Sequence, residues 1–383
     1  MTPPDRAYRR ARRRDRRVYQ AAHPVLLALL AATRARPAVR LGSTVLVHDA
    51  DACRQVLTRV PLDRDAEGST GGAARAALSG PQAWGALSGP QASGLLFDQE
   101  GGGHRATRRG LADGLGAAGV ERLRPVWRAV LTRRLGPLAE PGGTVDLVAV
   151  AREVAGATVC ALLDVDADPR AVASAASDAA AAAVRDHLPG PRRPGGAGGA
   201  TAAARRLQAL LAADGRDDGA LRAMLATAAV TTTVAALPRA AAWCADAGLW
   251  EEAADDRLRP ALVAELLRVV APSPVLPRVA AADATVAGVT IRRGDRIVLV
   301  ARHAVRAHRT GPDARCPVKP AVSQLVFGAG PHACPGARLA RAQLRDTLAA
   351  LSPYRPAVVR ARAERHAALP GWRALTVRAR ERP

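Results

Sequence analysis

Cys334 stands in a glycine-rich turn that runs directly into an amphipathic helix, and this junction constrains the chain more than any other feature. The string VFGAGPHACPGARLARAQL covers residues 326–344. Apolar residues at helical spacing in ARLARAQLRDTLAAL predict a helix over 337–351. Helix N-terminal N–H groups and a basic surrounding lower a thiol pKa, so the turn suits a thiolate. Gly328, Gly330 and Gly336 let backbone approach a flat ligand closely. The competing reading is a buried structural cysteine ahead of a helix.

The 383 residues are 49% hydrophobic, enough to bury a large core. Residues 1–20 carry the run RRARRRDRR and read as a basic, poorly ordered N-terminal segment. AVRLGSTVLVHD (38–49) reads as two short strands about a Gly-Ser turn, and DADACRQVLTRV (49–60) as a helix opened by Asp49. The stretch 61–103 is rich in Gly, Ser and Pro and holds a duplication, ALSGPQAWG (77–85) and ALSGPQASG (86–94). Two copies build no repeat core, so this is a tolerant surface loop or a lengthened substrate loop. Helical text fills 104–187, 201–213 and 219–270, with a flexible break at 189–200. VAGVTI and RIVLVA give strand-like pieces within 276–300. The expected fold is mainly α with a small β part, residues 21–383 forming a single domain.

The net charge of +22 invites a nucleic-acid reading. Lys319 is the single lysine, and the arginines are spread along the chain rather than interleaved with aromatics. Nucleic acid is therefore set aside, and the charge favours acidic protein partners. The apolar stretch Pro24 to Ala32 is too short to span a bilayer, and no secretory leader is evident, so a cytoplasmic protein without a membrane partner is expected. Five cysteines without a CxxC pair fit neither a disulfide scaffold nor a zinc ribbon. Cys53, Cys160 and Cys244 lie in apolar helical text as packing residues, and Cys316 lies in a loop. Gly114, Gly116 and Gly119 fit G-x-G-x-x-G but follow helical text rather than a strand, so no dinucleotide site is set up.

Phe327, Gly330, Cys334 and Gly336 form F-x-x-G-x-x-x-C-x-G. On these residues the chain resembles the cytochrome P-450 superfamily, whose thiolate ligand pushes electron density to haem iron and favours O–O cleavage. The resemblance implies haem b (iron protoporphyrin IX) between a long central helix and the cysteine loop, with Cys334 as the metal ligand and Phe327, Gly328 and Gly336 around it. Glu265 and Arg268 match a structural E-x-x-R pair that anchors the loop before the cysteine turn. His104, Arg108, Arg278 and His332 match donors to the haem propionates, carboxylates that need charged partners when buried. The implied activity is a monooxygenase-type oxidation of a small organic molecule, a natural-product intermediate, using O2. Electrons would come from a ferredoxin or similar acidic donor, docked on Arg105, Arg109, Arg338 and Arg341.

Several positions depart from the family pattern. Counting back from Glu265, the central helix carries Ala228-Ala229-Val230-Thr231-Thr232-Thr233. Thr232 takes the place of the family's alcohol at bound oxygen, Thr231 replaces its acid, and Ala229 replaces a glycine. Threonines in a helix can instead bond back to the i−4 carbonyl. Pro238 is expected to kink or break this helix. Lys319 holds the place of an arginine in a Glu-Arg-Arg cluster and lacks its forked contact. ARHAVRAH (301–308) replaces A-x-R-D-P, and Pro335 removes one N–H donor to the sulfur. The text between about 185 and the central helix is short, which trims the expected roof of the substrate pocket. Pocket candidates are the loop 80–97, Val230, Thr231 and Ser273 to Leu276. The missing acid leaves an alternative open: non-monooxygenase haem-thiolate chemistry such as oxidative coupling, peroxide-driven oxidation, nitrene transfer or dehydration.

Overall fold

The computed structural model describes residues 3–72, 96, 99, 101–187, 196–212, 218–365 and 367–380. The duplication at 77–94 lies outside these, as does nearly all of the loop 80–97. Helices α1 (Pro3–Ala22) and α2 (Pro24–Thr33) lead into a hairpin of β1 (Ala38–Leu41) and β2 (Thr44–Val47). Asp49 caps α3 (Ala50–Arg59) by accepting the N–H groups of Asp51 and Ala52, and β3 (Leu62–Asp63) follows. The helical body comprises α4 (Gly101–Leu115), α5 (Ala117–Leu135), α6 (Leu147–Leu163), α7 (Pro169–His187), α8 (Gly196–Leu210), α9 (Gly219–Ala247), α10 (Trp250–Ala254) and α11 (Arg259–Val270). β4 (Thr144–Asp146) precedes α6. Then come β5 (Leu276–Ala280), β6 (Ala284–Val286), β7 (Val289–Ile291), β8 (Arg296–Leu299) and the short helices α12 (Ala301–Ala304) and α13 (Pro320–Ser323). The chain closes with α14 (Ala337–Leu351), β9 (Ala357–Ala363) and β10 (Trp372–Arg378). The expectation of a mainly α fold with a small β part holds.

One sheet runs in the order β1-β2-β8-β5-β3, with β2 and β8 parallel and β5 antiparallel to β8. This register sets Arg278 of β5 opposite Ile297. A second sheet, β4-β10-β9, closes over the body. The central helix α9 packs against α6, α7, α1, α11 and α14. Its second half, with Trp243 and Cys244, enters the main core beside Trp127, Leu262 and Leu344, while its first half packs with α7 and α8.

The N-terminal segment corrects an expectation. Residues 3–22 form helix α1, and Ala11, Val18 and Tyr19 are buried in the main core with the carboxylate of Asp15 beside them. Positions 11, 15, 18 and 19 share one face at helical spacing, a stripe hidden among the arginines. Pro238 does not break α9 either. The helix continues to Ala247 because Ala240 to Ala245 are buried on all sides, and this packing outweighs the lost N–H. The text 219–270 is three helices rather than one: Gly248, at φ +76°, ends α9. Val230, named as a pocket candidate, is fully buried among α6, α7 and α8 instead.

Candidate active site

The cysteine turn is held by its own backbone. The Cys334 N–H donates to the Phe327 carbonyl at 2.7 Å and the Ala333 N–H to the Gly330 carbonyl at 3.1 Å. Gly328 closes the turn at φ +76°, where a side chain would be strained. A Cβ on Gly336 would stand 3.8 Å from the Cys334 sulfur, so glycine there keeps that flank of the thiol thin. The Arg341 guanidinium lies over the Phe327 ring, 4.6 Å from its centre. The Cys334 side chain is reached by solvent, yet enough protein surrounds it for burial to push its thiol pKa up. The Gly336 N–H and the charges of Arg108 and Arg341 pull the other way, toward thiolate. Pro335 removes one donor as expected, and Gly336 supplies another.

The four basic residues singled out as carboxylate partners come together beside this turn. The rings of His104 and His332 stack with centroids 3.9 Å apart. Arg108 donates to the carbonyl of Ala333, adjacent to the cysteine. Arg278 on β5 donates to the Thr70 hydroxyl at 3.0 Å and to the Pro277 carbonyl at 2.7 Å, while its Nε is buried without a hydrogen-bond partner. Burial, then the charges of Arg64, His104, Arg278 and Arg108, push His332 down to about 3. Burial and Arg64 push Arg278 down to about 10. Burial and neighbouring positive charge depress both groups, which makes this a pocket wanting anions, and an orphaned buried guanidinium nitrogen marks where a further acceptor fits. The residues therefore suit a flat metal complex carrying carboxylates, which the Cys334 sulfur would bind as thiolate and the basic cluster would hold by its carboxylates.

On α9 the two threonine hydroxyls bond within their own helix. Thr231 Oγ1 donates to the Thr227 carbonyl and Thr232 Oγ1 to the Ala228 carbonyl, each at 2.7 Å. Thr233 instead reaches Gln343 of α14 at 3.4 Å. Thr231 also lines a cavity of about 270 Å³ together with Val234, Arg152, Asp178, Glu364 and Trp372. Two carboxylates from α7 and the β9–β10 turn thus stand around the position where α9 itself carries no acid.

Glu265 and Arg268 are both fully buried, and their forked contact includes Nε to Oε1 at 3.0 Å. Arg268 also donates to the Val305 and Gly311 carbonyls, and Glu265 accepts the N–H groups of Asp313 and Val318. The pair therefore pins the loop 305–318 ahead of the cysteine turn. Among the described residues no ion pair joins Lys319 to it; backbone amides fill that place. Sequence reasoning missed Arg64 and Thr70, which adjoin Arg278 from a Gly- and Ser-rich stretch without a motif.

A profile of the cytochrome P-450 family matches residues 257–351. The 20-oxo-5-O-mycaminosyltylactone 23-monooxygenase of Streptomyces fradiae is 31% identical over 280 residues, 67% of this chain and 66% of that protein's length. Luteothin monooxygenase of Streptomyces thioluteus is 41% identical over 102 residues, 25% of this chain and 24% of that protein. The match thus spans just under two thirds of the first relative and about a quarter of the second. Among solved structures, the BioI cytochrome P-450 in complex with hexadec-9Z-enoic acid ligated acyl carrier protein superposes with a TM-score of 0.73 at 18% identity, covering 94% of this chain and 98% of that one. With the Cys334 turn, the Glu265–Arg268 pair and the fold in agreement, the chain belongs to the cytochrome P-450 family.

Proposed function

We propose that this protein is a haem-thiolate oxidoreductase that uses O2 to oxidise a small organic molecule, a natural-product intermediate, by hydroxylation or a related tailoring step. The observation that carries this reading is the setting of Cys334. Its sulfur adjoins the Gly336 N–H and two guanidinium charges, in a turn flanked by a basic cluster suited to carboxylates. Haem b is the usual cofactor for such a site and supplies, when bound, one-electron and O2 chemistry. In this reading Cys334 would bind the haem iron through its sulfur, and His104, Arg108, Arg278 and His332 would hold the propionates. Phe327, Gly328 and Gly336 shape the turn. The names of the Streptomyces relatives support a natural-product substrate.

Thr232 is the residue assigned to proton handling. Its Oγ1 donates to Ala228, which leaves its lone pairs to accept from water. Thr231 faces the cavity lined by Asp178 and Glu364, and we assign that cavity as the proton entry, with Asp178 in place of the acid missing from α9. Electrons come from a ferredoxin or similar acidic donor; exposed Arg105, Arg109 and Arg338 support a basic docking face, in a reducing cytoplasm. A second reading, non-monooxygenase chemistry on the same haem, is favoured by the inward-bonded hydroxyls of Thr231 and Thr232.

Spectroscopy of the purified, haem-supplemented protein tests the proposal. The reduced, carbon-monoxide-treated protein is expected to show the red-shifted Soret band of thiolate ligation, and Cys334→Ser to lose it. Wild-type protein without that band, or a serine variant with an identical spectrum, overturns the proposal. Turnover with O2 and reductant, against peroxide alone, separates the two chemistries.

A further inference from the structure

Of the large apolar side chains in the described structure the most exposed is Val25, 81% accessible, at the start of α2. Leu29 follows one turn later at 41%. Pro24, Ala28 and Ala32 are exposed beside them, so positions 25, 28, 29 and 32 make one continuous apolar face. The opposite side of the helix is anchored: Leu30 is buried against Leu46 and Val300. The helix is therefore fixed in place with an apolar face turned outward. An exposed apolar strip on a fixed element marks a contact surface rather than an unfolded end.

The charge around that strip identifies its partner. From Arg16 to His48 the sequence contains no Asp or Glu. Arg16 and Arg17, in the second half of α1, are exposed, and so are Arg34 and Arg36, which follow α2 in the chain. An exposed apolar helix face preceded and followed in the chain by exposed arginines, with no acidic residue from 16 to 48, is complementary to a lipid surface bearing anionic headgroups: acyl chains accept the face and phosphates the guanidiniums. An acidic protein would satisfy the arginines but would leave Val25 and Leu29 against polar surface. Helix α2 has ten residues, too few to cross a bilayer, so any bilayer contact it makes is at the surface. Among the described residues only α9 is long and apolar enough to cross a membrane, and half of its apolar stretch is buried inside the protein.

We propose that α2, with Arg16, Arg17, Arg34 and Arg36, is a peripheral docking face for anionic lipid bilayers. This departs from the expectation of no membrane partner, and it is independent of the chemistry assigned to Cys334. The attraction is electrostatic at range and apolar at contact, so binding is weak, reversible and weakened by salt.

Co-sedimentation of the full-length protein with vesicles tests it, comparing phosphatidylglycerol mixed into phosphatidylcholine with phosphatidylcholine alone. The anionic vesicles are expected to bind on the order of tenfold more protein at low salt. Val25→Ser with Leu29→Ser keeps the charge, and Arg34→Gln with Arg36→Gln keeps the apolar face. Each pair is expected to lower binding by about tenfold. Arg257→Gln with Arg315→Gln removes the same charge from exposed sites elsewhere and is expected to change binding by less than about twofold. Circular-dichroism melting confirms that every variant folds. Equal binding to both vesicle types overturns the proposal, as does full binding by the serine pair. An equal loss in the Arg257 and Arg315 pair, or self-association abolished by the serine pair, overturns it too.

Discussion

The Arg239 guanidinium donates to the Asp15 carboxylate at 2.8 Å, across 224 residues of sequence. Both groups are buried, and Arg239 also donates to the Tyr19 hydroxyl at 2.7 Å. This contact fastens α1 to the central helix. Asp15→Ala would leave a buried guanidinium without its counter-charge, so a loss of about 3–5 kcal/mol is expected in chemical denaturation. Exposed Arg16, one residue on, should tolerate alanine within about 0.5 kcal/mol. Equal effects from the two substitutions would mean that α1 contributes nothing through this pair.

Stability should fall with acid. His48 and His303 share a contact between their Nδ1 atoms at 2.9 Å, and the ring of His308 lies 4.6 Å from that of His303. Burial pushes His48 to about 4. Burial, then His308, His48, Arg302 and Arg34, push His303 to about 3, and burial with Arg309, Arg34 and Arg302 pushes His308 to about 4. These folded values lie below the unfolded value near about 6.5. As pH drops below that value, the unfolded chain takes up protons that the folded one refuses. The contribution is therefore full above the unfolded pKa and lost as pH falls toward the folded values. The slope is at most about 1.4 kcal/mol per pH unit per histidine, in a coupled titration. Denaturation midpoints measured from pH 7 to pH 5 should decline, and His303→Gln should flatten the decline. A profile unchanged by the substitution would remove the histidines as its cause.

What was legible in the sequence was local. The Cys334 turn and helix α14 are adjacent in the chain, so glycine spacing and apolar periodicity expose both. Glu265 and Arg268 lie one helical turn apart and face each other by geometry alone. Asp49 announces α3 because a cap acts on the next residues. The rest depends on distant contacts. The apolar stripe of α1 is sparse, and it becomes a core face only because α9 and α11 supply Arg239 and the carbonyl of Val270 to meet Asp15 and Tyr19. Arg64 and Thr70 approach Arg278 through the pairing of β3 with β5, which the Gly- and Ser-rich text around them does not reveal. Pro238 misled because burial, not local preference, decides the second half of α9.

Arg278 should matter for retaining haem more than for folding. It contributes a buried charge whose Nε has no hydrogen-bond partner, and Thr70 orients it. Replacing it with Gln removes a charge-assisted contact of about 1.5–3 kcal/mol, so haem transfer to apomyoglobin should speed up by about tenfold or more. The apoprotein's melting temperature should hold, because the buried cation is itself costly. Unchanged haem transfer with a lower melting temperature would assign Arg278 a purely structural part.

Thr232 and Asp178 provide the last test, because they separate proton delivery from packing. Thr232→Val keeps the shape of the side chain and deletes only the hydroxyl. If Oγ1 serves solely to bond Ala228, the loss is a small change in helix stability and product formation stays as it was. If it handles protons, product per electron consumed should drop by about tenfold or more, with the difference appearing as reduced oxygen species. Asp178→Asn keeps the size and polarity of the cavity wall and removes its titratable group. On the proposed entry route it lowers product yield in the same direction, and its rate in deuterated solvent shows a larger isotope effect than wild type. A Thr232 variant that couples normally would transfer the proton task away from α9. A silent Asp178 variant beside an uncoupled Thr232 variant would leave Thr232 in place and move the entry route to another wall of the site.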